Sequence, residues 1–194
     1  MSVTAKATMR SDAEENRERL LAAALTAIER DGQQVAMARI AADAGVGVGT
    51  LYRRFPNRES LFDALQARAW GVVLATLTSV EQRDVAGLTC VELFLTRTVE
   101  TRSQLFLPWH GSPETGGVES NALAVRIERR VAGLLRRGVR DGTIRPDVTP
   151  QDVIVFGALM AQSLSAIAGW DEVASAQIRI FLTGISAMPR ARRR

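Results

Sequence analysis

Apolar residues recur along this chain at intervals of three and four, and no stretch alternates strictly, so the pattern predicts helices and no strands. Leu20, Leu21, Ala24, Leu25 and Ile28 form one face of a first helix. It is expected from Ser11, with Glu14 completing a capping box, to Arg30, with Asp31-Gly32 as the stop and residues 1–10 disordered. Met37, Ile40, Ala41 and Ala44 define a short second helix over 36–44 that Gly45 would close. A third runs from Gly47 to Arg54, with Leu51 and Phe55 inward, and Pro56 forbids its continuation. Asn57 caps a long helix from Arg58 to about Val80; further helices are expected over 85–106 and 118–140. Thr149-Pro150 opens another, apolar nearly all round through 153–169, and a last one spans 171–188. Residues 109–117 are the most loop-like stretch.

Two short helices joined by a Gly-containing turn form a helix-turn-helix, whose second helix enters the DNA major groove. The outward positions suit that use. Thr50 and Tyr52 bring hydroxyls for phosphate oxygens, while Arg53 and Arg54 bring charge and bidentate donors for phosphate or guanine. Gly47, Val48 and Gly49 are small, which allows close approach to a duplex, and the helix N-terminus offers free N–H groups to a phosphate. Arg39 and Arg58 flank the unit, so residues 39–58 carry four arginines against the single acid Asp43.

The stretch IAADAGVGVGTLYRRFPNRESL resembles the DNA-binding signature of the TetR family of bacterial transcriptional regulators, I-A-x-x-A-G-V-x-x-G-T-L-Y-x-x-F-x-x-[KR]-x-x-L. Val35 and Ala36 stand where the family usually has Thr or Ser, so a side-chain N-cap worth about 1 kcal/mol is lost. Gly47 stands where Ser is frequent, removing a phosphate contact. The resemblance implies an all-α chain with two domains. Residues 1–57 would be a three-helix DNA-binding domain, 58–189 a helical ligand-binding and dimerisation domain, and 190–194 a basic tail. It also implies a homodimer built on a four-helix interface of the last two helices. Gly157, Ala161, Leu164, Ile178, Phe181 and Ile185 are its candidate residues.

Charge changes this picture little. The formal +4 equals the charge of the terminal Arg190, Arg192, Arg193 and Arg194, while residues 1–58 carry +2 and 59–189 carry −2. The focused patch on the third helix is the better sign of DNA binding. Arg126, Arg129, Arg130, Arg137 and Arg140 lie largely on one side of their helix and are expected to be a solvated face, with an anion site as the alternative.

No phosphate loop, metal motif or nucleophile elbow is present in the sequence, and one His with one Cys cannot form a ligand cluster, so no catalytic residue, metal or cofactor is expected. The lone Cys90 excludes an internal disulfide and, with no signal peptide or spanning segment, points to a cytoplasmic protein with no membrane partner. A ligand pocket is expected among the helices that begin at Arg58, Val85, Val118 and Pro150. Trp70, Phe94, Phe106, Trp109, His110, Phe156, Met160 and Gln162 are its candidate lining, although such residues more often build core. The expected partners are a double-stranded DNA operator, a second copy of the chain, and a small apolar or amphipathic ligand. The expected function is a ligand-released repressor on a palindromic operator; the alternative is a DNA-binding architectural protein or a regulator without ligand.

Overall fold

The structure, a computed structural model, describes residues 3–106, 117–162 and 168–187. Within them the secondary structure is helical: α1 (Val3–Asp31), α2 (Met37–Asp43), α3 (Val48–Arg54), α4 (Arg58–Glu81), α5 (Gly87–Glu100), α6 (Val118–Arg140), α7 (Pro150–Ala161) and α8 (Trp170–Ile185). One isolated antiparallel bridge, Ile144 with Ser186, ties the turn after α6 to the end of α8.

Three helix ends differ from the sequence-based expectation. α1 begins at Val3, so Ser11 lies inside the helix rather than at its start. Residues 3–10 contain no Gly or Pro, and Ala, Lys, Met and Arg are good helix formers that carry the helix back past Ser11. α5 ends at Glu100 rather than Phe106, followed by a single 3-10 turn, Arg102–Gln104. Its last carbonyls are taken by side chains: the Thr101 hydroxyl donates to Arg97 O (2.8 Å) and Arg102 Nη1 donates to Val99 O (3.1 Å). α7 ends at Ala161, well short of Gly169, with extended Gln162 as its C-cap. The Trp170 indole N–H donates to Met160 O (3.1 Å), taking up a carbonyl the helix has released.

The described residues divide into two compact units that part between Gln66 and Ala67, inside α4; residues 117–119 belong with the first. The first unit holds α1, α2, α3 and the opening turns of α4. Its buried core includes Leu20, Leu21, Ile40, Leu51, Leu61 and Phe62. Each of these contributes about 1.5–3 kcal/mol by leaving water. In the second unit α5 packs on both α7 and α8. Leu77, Val91, Leu95, Val131, Val153 and Ile178 belong to its continuous core, as does Cys90. Burial pushes the Cys90 thiol up, which makes it a small apolar filler rather than a nucleophile.

Two ends within the second unit are fixed by capping. Thr149 and Asp152 form a capping box at the start of α7, and the bonds from Thr149 hold the Asp152 carboxyl below its usual range. α5 starts with no cap of its own. Asp141 supplies one from 54 residues away: its Oδ2 accepts from Gly87 N (2.7 Å), while Thr143 Oγ1 accepts from Leu88 N (3.2 Å). Gly87 is required there, because a Cβ would stand 2.2 Å from Gly138 N.

Candidate nucleic-acid interface

α2 begins with Ala36 as N-cap and no side-chain cap, as the missing Thr or Ser implies. Gly45 then adopts φ +67, a left-handed conformation that glycine enters without steric cost. That kink lets Val46 N reach back to Ala41 O (3.0 Å) and sends the chain into α3 through extended Gly47. Leu51 is fully buried and Phe55 nearly so, which seats one face of α3.

The opposite face is open. Val48 and Tyr52 are 41% and 46% exposed, with Gly47, Gly49, Arg53 and Arg54 exposed beside them and Thr50 half-buried. Among the described residues the hydroxyls of Thr50 and Tyr52 and the Arg53 guanidinium have no bonding partner. Three polar groups left open on one short helix form a surface suited to phosphate and base-edge contacts.

Arg39 and Arg58 are less free. Arg39 Nε pairs with Asp43 (3.3 Å), and Asp43 also accepts from Arg30 of α1 (2.7 Å). Arg30 is raised above its usual range by the carboxylates of Asp31 and Asp43, and it holds Asp31 below its own. This chain of charges ties α1 to α2. Arg58 was expected at a phosphate, but its guanidinium donates to Gln33 O (2.5 Å) and Val35 O (2.6 Å) and lies 5.7 Å from the centre of the Phe62 ring. Arg58 thereby fastens the start of α4 to the α1–α2 turn. Its partners lie 25 and 23 residues away, so no local pattern could reveal the clamp.

The other candidate sites fare unevenly. Phe94 and Phe106 are buried, while Trp70, Phe156, Met160 and Gln162 are half-buried. Phe94 is part of the second unit's core, and Trp70, Phe156 and Met160 pack against it. Trp109 and His110 lie outside the described residues, as do Leu164 and the arginines of 190–194. Of the expected interface residues, Gly157, Ala161, Ile178 and Ile185 are buried within the chain itself and are not available to a partner. Gly157 sits against Leu95, 3.1 Å from where its Cβ would be. Phe181 is half-buried and stacks on Phe156, with centroids 4.1 Å apart. The exposed apolar residues of these helices are instead Val155, Leu159 and Ile180. α7 is apolar on most sides, so periodicity does not select which of its sides faces inward.

Residues 20–65 match the sequence model of bacterial regulatory proteins of the tetR family. The match covers α2 and α3 entirely, with parts of α1 and α4. Residues 20–65 are therefore similar to the DNA-binding segment of that family. An HTH-type transcriptional regulator of Staphylococcus aureus (strain USA300) is 43% identical over 54 residues, which are 27% of this chain and 29% of that protein. The chain thus matches less than a third of the length of its curated relatives. Similarity of fold extends much further. A ketosteroid transcriptional regulator of Mycobacterium tuberculosis superposes with a TM-score of 0.67 at 17% identity, over 89% of this chain and 95% of that one. FadR of Bacillus subtilis, solved in complex with stearoyl-CoA, superposes with a TM-score of 0.66 at 15% identity, over 87% and 99%.

Proposed function

We propose that this chain is a DNA-binding transcriptional regulator that reads a palindromic operator as a homodimer and is released by a small apolar or amphipathic ligand. One observation carries the DNA reading: Thr50, Tyr52 and Arg53 present open donors and acceptors on the exposed face of α3, whose other face is locked by Leu51 and Phe55. Phosphate contacts from the hydroxyls would set register, and an arginine reaching a guanine edge would discriminate bases. The homodimer is supported by exposed Val155, Leu159 and Ile180 on α7 and α8, since apolar side chains of this size are usually covered. Two-fold symmetry of the protein would match two half-sites about one helical turn apart, roughly 34–36 Å.

Ligand control is supported by the aromatic and Met side chains around α5 and α7, and by the stearoyl-CoA bound in the Bacillus subtilis FadR complex. Release requires the ligand to bind one conformation better than the other; affinity alone shifts nothing. The test is fluorescence anisotropy of labelled duplex DNA with wild type and with Thr50→Ala, Tyr52→Phe and Arg53→Ala. We expect each variant to bind more weakly, by about 3- to 30-fold, the effect of one lost charged or phosphate hydrogen bond. Unchanged affinity in all three would defeat the assignment of α3.

A further inference from the structure

α4 and α5 enclose a second feature that the DNA reading does not use. It is an open cleft of about 270 Å³ lined by Ala75, Thr76, Ser79, Val80, Arg83, Leu93 and Arg97. None of the expected ligand residues lines it. Its apolar lining comes from Ala75, Val80 and Leu93, and its polar groups are two hydroxyls and two guanidinium groups, with no carboxylate in the lining.

The hydrogen bonding of α4 separates these groups. Thr76 and Thr78 return their hydroxyls to the carbonyls of Val72 and Leu74, four residues back, as helical threonines do. Among the described residues the Ser79 hydroxyl makes no such bond, and the Arg83 guanidinium, one turn further on, has no partner. Arg97 enters from α5 and is shared with Glu100 outside the lining (3.0 Å), a surface pair of small worth that leaves most of its five donors open. The backbone beneath Arg83 is held in place: Arg137 Nη1 donates to Arg83 O (2.9 Å), and its Nη2 pairs with Asp84 (3.5 Å). A backbone held at Arg83, two arginine forks and a hydroxyl therefore line one cleft beside apolar side chains.

We propose that this cleft binds a small amphiphilic anion, a carboxylate carried on a short apolar chain. Arg83 and Arg97 supply the planar bidentate donors that match a carboxylate, Ser79 donates a further hydrogen bond, and Val80 and Leu93 cover the chain. The volume suits a ligand of roughly ten heavy atoms, below the usual range for larger ligands. The site is separate from the expected apolar pocket and does not depend on the DNA reading.

The experiment is isothermal titration of the full chain with octanoate, octanol and inorganic phosphate, on wild type, Arg83→Gln, Arg97→Gln, the double variant and the control Arg136→Gln. We expect saturable binding of octanoate, weakened about 3-fold or more by each cleft substitution and about tenfold or more by both, as loss of charged hydrogen bonds on a half-open surface predicts. Arg136→Gln should bind as wild type does. Circular dichroism melting checks that every variant is folded; each substitution is at an exposed position on or beside a helix, where Gln is tolerated. The proposal is overturned if octanoate does not saturate, if octanol or phosphate binds as well as octanoate, or if the folded double variant keeps wild-type affinity. Octanoate bound at the apolar pocket instead would show itself by that last result.

Discussion

Replacing Gly87 with Ala sets two effects of opposite sign against each other. Gly87 is the first residue of α5, and alanine in a helix is favoured over glycine by about 1 kcal/mol. On propensity alone the substitution stabilises. The added Cβ, however, would stand 2.2 Å from Gly138 N, 2.3 Å from Gly138 Cα and 2.9 Å from Arg137 C. These are backbone atoms of α6 and cannot rotate aside. α6 cannot yield easily either, since a Cβ placed on Gly138 would itself lie 2.3 Å from Ile144 Cδ1. The start of α5 must move, and the cap from Asp141 (2.7 Å to Gly87 N) lengthens with it. Overpacking of this kind costs about 1–3 kcal/mol and a weakened charged hydrogen bond about 1 kcal/mol more. The net is a loss of about 1–3 kcal/mol, or roughly 2–12 °C in Tm for a domain of this size. Gly71→Ala is the internal control: it is exposed within α4 with no atom within 4 Å of the new Cβ, so it should gain about 0.5–1 kcal/mol. Both are read by differential scanning calorimetry at one protein concentration, because a dimer's Tm depends on it. A Gly87→Ala protein as stable as Gly71→Ala would refute the close approach of α5 and α6.

Burial works to raise the Asp141 carboxyl, but bonds from Thr143 and the Gly87 N–H, with Arg137 nearby, outweigh it and hold it below its ordinary 3.8. Its stabilisation is therefore present above that value and lost as pH falls through the depressed folded value. Urea melts of wild type and Asp141→Asn should differ near neutral pH and converge in acid. A difference independent of pH would show that the charge is irrelevant. Arg58→Ala orphans the carbonyls of Gln33 and Val35 and should cost about 1–3 kcal/mol, with hydrogen exchange fastest in residues 32–41; uniform exchange would count against the clamp. Leu159→Arg and Ile180→Arg should leave the chain folded but monomeric by sedimentation, whereas Ala161→Arg and Ile178→Arg should unfold it by burying an unpaired charge. Folded, dimeric Leu159→Arg and Ile180→Arg proteins would move the interface elsewhere.

Much of the fold was readable because its determinants are local. Ala36 to Pro56 contains its own apolar spacing, its left-handed Gly45 and its proline stop, and the structure shows that helix, turn and helix. Thr149, followed by Pro150, made the start of α7 equally plain. What escaped was set by partners far along the chain. The Arg58 clamp, the Asp141 cap on α5 and the Trp170 bond that accompanies the end of α7 join residues 10 to 54 apart. The inward side of α7 escaped for another reason: Val155 and Gly157 are similar in pattern, and only packing against α5 decides that Gly157 is buried and Val155 exposed.

The central claim, that α3 reads an operator in a two-fold protein, is tested most directly by selection of random duplex DNA on the purified wild-type chain, beside a variant combining Thr50→Ala, Tyr52→Phe and Arg53→Ala. The account predicts enrichment of an inverted repeat whose half-sites are centred about one helical turn apart, roughly 10–10.5 base pairs, with no enrichment by the variant. A wild-type chain that enriches no sequence, or a variant that enriches the same repeat, would contradict it.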